Sequence, residues 1–228
     1  MVKINLGCGP VGKEDWINID WGVLAIMHKY PLLKTIFIKA GLFPKAYNVK
    51  WPKNLKLYDC RKDLPFRSGS IDFIYTSHFL EHLRKYEAQK VAKECYRALR
   101  KNGLIRIAVP DLELLVRKYF EKDIAFFKKA KAGLIVQGAN SPDAPLADYL
   151  VDNFYPDFYK ERYSGINKLM NFFVRPHLWQ YDYDSLKDLF IKAGFKNIER
   201  RHFREGRVPD LDVLDVFPEV SLYAEAEK

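Results

Sequence analysis

One turn constrains this chain more than any other feature. The opening "VKIN", residues 2–5, has the pattern of a short buried strand, and "LGCGP" follows at once. Gly7 and Gly9 flank Cys8 in that turn. Glycine lacks a β-carbon, so a strand that ends in Gly-x-Gly lets its backbone pass close to a bound group. The next strand pattern, "WINID", closes on Asp20. Backbone for close approach and a carboxylate for ribose hydroxyls is the division of labour in dinucleotide binding. No lysine-serine pair follows the turn, which excludes a nucleoside-triphosphate P-loop.

Beyond the turn, strand and helix patterns alternate. Short segments rich in Ile, Val, Leu, Phe or Tyr lie at 3–6, 16–20, 55–59, 71–76 and 104–109 and are expected to be strands. Ala88, Val91, Ala92, Cys95 and Leu99 share one stripe, which predicts a helix over 86–99 stopped by Asn102-Gly103. A second helix is expected over 185–193, with Asp184 as N-cap, Leu186, Leu189 and Phe190 on its apolar face, and Gly194 ending it. "FKNIERRHF" and "EVSLYAEAEK" read as two closing strands. The expectation is an α/β fold with a mainly parallel sheet wound from both sides.

Two stretches break the alternation. Residues 21–54 are apolar and basic, and residues 121–175 are aromatic, charged and interrupted by Pro142, Pro145 and Pro156. Both read as partly helical cap insertions on a single domain spanning 1–228, on the side where α/β folds build their substrate sites. At 228 residues and 48% hydrophobic content, one substantial core suffices. No apolar run reaches membrane-spanning length, and no secretory leader is expected ahead of the first strand. The scattered Cys8, Cys60 and Cys95 fit reduced thiols in a cytoplasm. The net charge of +9 favours an anionic partner, or is simply a solvated lysine-rich surface.

Five strings in order, "INLGCG", "WINID", "DCRKDLPF", "SIDFIYTSHFLEHL" and "ECYRALRKNGLIRIAVPDL", carry a resemblance. Together they look like the class I S-adenosylmethionine-dependent methyltransferases, nearest to the bacterial type 11 branch often associated with polysaccharide synthesis. The likeness covers about 2–120 and resumes at "HLWQYDYDSLKDLFIKAGF". It implies a Rossmann-like sheet of about seven strands with a reversed last strand, and S-adenosylmethionine as cofactor. Carried over by position, Gly7, Cys8 and Gly9 would cradle the methionine part, Asp20 the ribose, and Asp59 with Cys60 the adenine. Ser77 and His78 would border the methyl group. One departure stands out: Asp20 follows Gly9 by eleven positions, too few for a full first helix, and Val11 replaces the last glycine of the longer fingerprint.

Transfer to an alcohol needs a base, and His78 and His177 are the candidates. Asp111, in "VPDL", is placed to position a hydroxyl or assist a divalent metal. "HFLEH" also spells H-x-x-E-H, in which His78 and His82 with Glu81 would serve a zinc hydrolase. Its place directly after a strand and inside a methyltransferase string argues against that, and no metal is expected. No Pro-Pro-Tyr or Pro-Cys run follows the fourth strand, so a hydroxyl of a sugar or glycan precursor is the expected acceptor, with RNA or an inactive cofactor-bound partner module as alternatives. Apolar residues alternating with lysines in 21–54 add an expectation of weak contact with an anionic membrane at its inner face, which would suit a lipid-linked acceptor; a cap over the site is the rival reading.

Overall fold

Four buried residues, Lys3–Leu6, make β1, and the sheet grows from it in both directions. The computed structural model describes residues 1–41, 48–132, 144–154 and 175–228. The strands are β1, β2 (Ile17–Asp20), β3 (Lys56–Leu57), β4 (Ile71–Ser77), β5 (Leu99–Pro110), β6 (Lys196–Arg201) and β7 (Ser221–Glu227). They form one seven-stranded sheet in the order β3-β2-β1-β4-β5-β7-β6. Pairings from β3 through β5 are parallel, and β7 runs antiparallel to both β5 and β6. This is the expected α/β, Rossmann-like sheet with a reversed last strand.

The helices are α1 (Val23–Lys29), α2 (Pro31–Lys39), α3 (Lys85–Ala98), α4 (Leu112–Phe120), α5 (Ile124–Ala132), α6 (Leu146–Phe154), α7 (Tyr183–Ala193) and α8 (Leu211–Leu214). Within the insertions, α1 and α2 supply helix in 21–54, and α5 and α6 in 121–175. Leu42, Phe43, Lys45, Pro142 and Pro156 lie outside the described residues.

Strand alternation sorts the sheet into two unlike faces. On one face Ile4, Leu6, Ile74, Ile105, Ile107, Leu222 and Ala224 meet Ala88, Val91, Ala92 and Cys95 of α3 and Leu186, Leu189 and Phe190 of α7. Gly194 ends α7 at φ 108, and a β-carbon there would stand 3.0 Å from the Tyr96 ring of α3. The other face carries Phe73, Tyr75, Trp16 and Leu104 beneath Val208, Leu211 and Leu214. Amid them lies a buried polar layer. Arg106 and Asp215 pair at 2.6 Å with no exposed side-chain surface on either. Glu225, also fully buried, accepts from the backbone N–H groups of Arg207 and Val208.

Several boundaries depart from the sequence expectation: β3 keeps only two residues of the expected 55–59, β5 opens five residues early, and two helix ends shift for a local reason. The helix expected to run to Leu99 and stop at Asn102-Gly103 ends at Ala98, because Leu99 is already extended and opens β5. Asn102 (φ 59) and Gly103 instead lie within that strand, where the last residue's backbone pairs with both. The N-cap of α7 is Asp182, not Asp184. Its Oδ1 accepts from the Ser185 N–H at 2.8 Å while the Ser185 hydroxyl answers its own N–H, a reciprocal cap.

Candidate active site

The glycine turn sits at the carboxyl end of β1, between β2 and β4. Gly7 and Gly9 hold φ values of 64 and 51, where a side chain is strained. They differ in surroundings. A β-carbon on Gly7 would meet the Phe79 ring at 2.6 Å, whereas one on Gly9 would meet nothing within 4 Å. The Gly9 edge is therefore open. The Cys8 N–H ties the turn to the Ile19 carbonyl at 3.1 Å.

Asp20 ends β2 and binds that turn directly. Its Oδ2 accepts from the Gly9 N–H at 2.7 Å and its Oδ1 from the Trp21 N–H at 2.6 Å. Burial pushes its carboxyl up to about 6, against the pull of those two donors. Asp59, just past β3, is engaged differently: the Arg61 guanidinium grips it through two 2.7 Å bonds. Burial would raise its pKa, but that cation and the Arg61 N–H outweigh it and hold the carboxyl below its usual range. Cys60 is buried beside the Gly7 backbone, and burial pushes its thiol up to about 12. Burial pushes the Cys8 thiol up as well, so neither sulfur is a nucleophile at neutral pH.

Ser77 ends β4, and His78 leaves the strand with φ 50, left-handed for a residue that rarely adopts it. The His78 Nε2 lies 2.8 Å from the Ser221 hydroxyl, its Nδ1 lies 3.2 Å from Glu81 Oε1, and its ring rests edge-on against Phe217. A single 3-10 turn, Leu80–His82, follows. That turn undoes the geometry supposed for H-x-x-E-H: His78 precedes the turn and faces Ser221, so it does not stack one α-helical turn above His82 on a shared face.

His82 turns the other way. Its Nδ1 lies 2.9 Å from the Arg175 carbonyl, and its ring meets His177 at 4.9 Å between centroids. The segment carrying His177 is stitched down by the Leu178 and Trp179 N–H groups, which both donate to the Glu81 carbonyl, and by the Arg175–Glu87 ion pair. His177 Nδ1 lies 3.0 Å from the Asn153 carbonyl on α6. Burial, with His82 nearby, drives the His177 imidazole down to about 4 despite the Glu81 charge, so it is neutral at physiological pH. Such an imidazole is a weak general base there.

Glu81, weighed in the sequence only as part of a rival motif, is the hub of this cluster. It is fully buried and reaches toward His78, His82 and His177. Burial would raise its pKa, but the histidines outweigh that and hold the carboxyl down at about 2. Asp111 contacts none of these three histidines. Its Oδ1 caps α4 through the Leu114 N–H and its Oδ2 pairs with Arg200 at 2.7 Å, so both oxygens serve the fold.

Residues 45–107 match the family model described as "Methyltransferase domain". The match takes in β3, β4, the Leu80–His82 turn, α3 and most of β5. This match to the methyltransferase model covers under a third of the chain and includes neither the glycine turn nor His177. No curated protein matches the chain in sequence. Solved structures similar to this chain include a Pyrococcus horikoshii protein (18% identity, TM-score 0.49, covering 99% of this chain and 80% of that one). Another is a SAM-dependent methyltransferase from Methanosarcina mazei (14%, 0.48, 99% and 91%). A third is an S-adenosylmethionine-dependent methyltransferase from Mesorhizobium loti (17%, 0.47, 100% and 90%).

The residues at the glycine turn fit S-adenosylmethionine, the cofactor that the resemblance implies. The Gly9 edge offers backbone with nothing in front of it, and Asp20 keeps lone pairs beyond its two backbone bonds. Among the described residues no helix is long and apolar enough to cross a membrane.

Proposed function

We propose that this chain is an S-adenosylmethionine-dependent methyltransferase acting on a hydroxyl oxygen of a sugar or glycan precursor, with His78 as general base. The observation that carries the reading is the pair of contacts on His78. The charge of the Glu81 carboxylate, 3.2 Å from Nδ1 though not aligned for a hydrogen bond, favours the tautomer with its hydrogen on Nδ1 and a lone pair on Nε2. That lone pair already meets a hydroxyl, the Ser221 Oγ at 2.8 Å. An acceptor hydroxyl that takes the place of Ser221, or hands its proton through it, would meet the same nitrogen.

S-adenosylmethionine supplies a methyl group on a sulfonium, activated for in-line attack. The chain's own residues have three tasks. The Gly7–Gly9 backbone and Asp20 hold the cofactor, with Asp59, Cys60 and Ser77 proposed along its other edge. The His177 segment walls the acceptor side and excludes water. His78 accepts the hydroxyl proton as the new C–O bond forms, which leaves an ether, a thioether and an imidazolium in balance. Alignment supplies much of the rate in such a transfer.

The reading also places a lipid-linked acceptor within reach, through α2. Leu32 and Ile36 are exposed on that helix, with Lys39 in its last turn and Lys29 at the end of α1, a composition that suits an interfacial helix at a cytoplasmic membrane face.

A panel of acceptors tests the proposal: sugar nucleotides, lipid-linked sugars, RNA and small amines, read by conversion to S-adenosylhomocysteine. Turnover with sugar hydroxyls alone is expected; transfer only to RNA or to amines would sink it. His78→Asn, which tolerates the left-handed backbone, should lower kcat by about 10²–10⁴ while cofactor affinity changes far less.

A further inference from the structure

We infer that Glu81, His82 and His177 form a binding site for one divalent first-row transition metal ion. Three observations carry it. Ligand atoms of the three residues all lie within 4.8 Å of one another. Metal bonds of about 2.0–2.2 Å would bring such atoms to roughly 3.3 Å apart in a tetrahedral site, a closure within reach of small side-chain rotations.

The second observation is Glu81 itself. Its side chain has no exposed surface, and neither carboxylate oxygen has a hydrogen-bond partner. His78 Nδ1 comes to 3.2 Å of Oε1 without the alignment of a hydrogen bond. A buried carboxylate left so is costly unless paired or bound to a metal. A cation among Glu81, His82 and His177 answers that cost directly.

The third is tautomeric. His82 Nδ1 faces the backbone carbonyls of Arg175 and Pro176, and His177 Nδ1 faces that of Asn153. A carbonyl can only accept, so in each ring Nδ1 carries the hydrogen and Nε2 is left with its lone pair. Gln180 Nε2, 3.5 Å from His177 Nδ1, is too far to change this. A second ring N–H held by a carbonyl is the usual support for a metal-binding imidazole. Two imidazoles and one carboxylate suit zinc, manganese or iron better than calcium or magnesium, which favour all-oxygen sites.

The supporting elements are far apart in sequence but rigidly joined. The Leu178 and Trp179 N–H groups donate to the Glu81 carbonyl, so the peptide that presents one ligand also holds the segment that presents another. A three-ligand site leaves a position open. Resting on the hydroxyl-transfer reading above, that position would take the acceptor oxygen and lower its pKa as a Lewis acid, beside the His78 base.

The test begins with purified protein stripped by chelator and titrated calorimetrically with zinc and, separately, manganese, with magnesium as comparison. One equivalent of zinc or manganese should bind, at least tenfold more tightly than magnesium. His82→Asn and His177→Asn each retain a donor for the backbone carbonyl, and each should weaken binding at least tenfold with little change in melting temperature. Should either fail to fold, Glu81→Gln, which is isosteric, serves the same purpose. Absence of stoichiometric binding in the wild type, or unchanged binding in folded variants, overturns the site. The two readings fail separately: undiminished sugar methylation in chelator would remove the metal and leave the acceptor, while tight metal binding without transfer to hydroxyls would do the reverse.

Discussion

Asp20 is where residue-scale chemistry can be read most directly. Its carboxyl is raised to about 6 by burial, and a ribose hydroxyl needs the ionised form as acceptor. Donors to the carboxylate favour that form, so cofactor binding should release a proton below about pH 6. Affinity for S-adenosylhomocysteine is therefore expected to rise with pH up to about 6 and level off above it, in calorimetry across pH 5–8. Asp20→Ala should cost about 1.5–3 kcal/mol of binding and flatten that profile. An unchanged affinity in a folded Asp20→Ala protein would remove Asp20 from the cofactor site. That Asp20 would meet the Gly7–Gly9 turn was legible in sequence, because a turn and a strand end fix them within one local unit. Glu81 as a hub was not, since its partner His177 reaches it only through tertiary packing. Asp111 shows the converse: the end of a parallel strand looked chemical, but the residue caps α4 and neutralises Arg200.

At the scale of elements, hydrophobic period found the five parallel strands and both long helices. Their ends were less certain. Asp182 and Asp184 are equally good cap residues by type, and only Ser185 at the third helical position decides between them. The stop of α3 was misplaced because Asn-Gly is a strong turn signal, here used inside an irregular strand. In α2 no residue is buried, with Leu32 at 81% and Ile36 at 62% exposure. If this helix rests on anionic lipid, the protein should co-sediment with phosphatidylserine vesicles at low salt and leave them at high salt. Each interfacial lysine contributes about 1 kcal/mol, so Lys29→Glu with Lys39→Glu should release most of it. Equal retention on neutral vesicles, or none on either, would leave α2 without a membrane role.

Across the whole molecule, the two faces of the sheet call for different arithmetic. The face under α3 and α7 is apolar and tolerates conservative exchange. The opposite face depends on matched charges. Arg106 donates to the carbonyls of His202 and Glu205 as well as to Asp215, which also accepts from Tyr75 and the Arg204 N–H. Removing one partner strands the other, so Asp215→Ala should lose about 3–5 kcal/mol in chemical denaturation. The double change Arg106→Met with Asp215→Leu should recover much of that loss; if both single changes proved harmless, the pair would have no part in stability.

The position of β7 has a consequence for how the protein is made. It is the latest in sequence of the described strands, yet it lies between β5 and β6 and bonds to both. As the polypeptide leaves the ribosome, β5 carries a bare edge while more than a hundred further residues are synthesised, and β6 has no strand to pair with. Sheet closure on that side waits until synthesis reaches Glu227. Through that interval the nascent chain presents an apolar strand edge of the kind that chaperones engage.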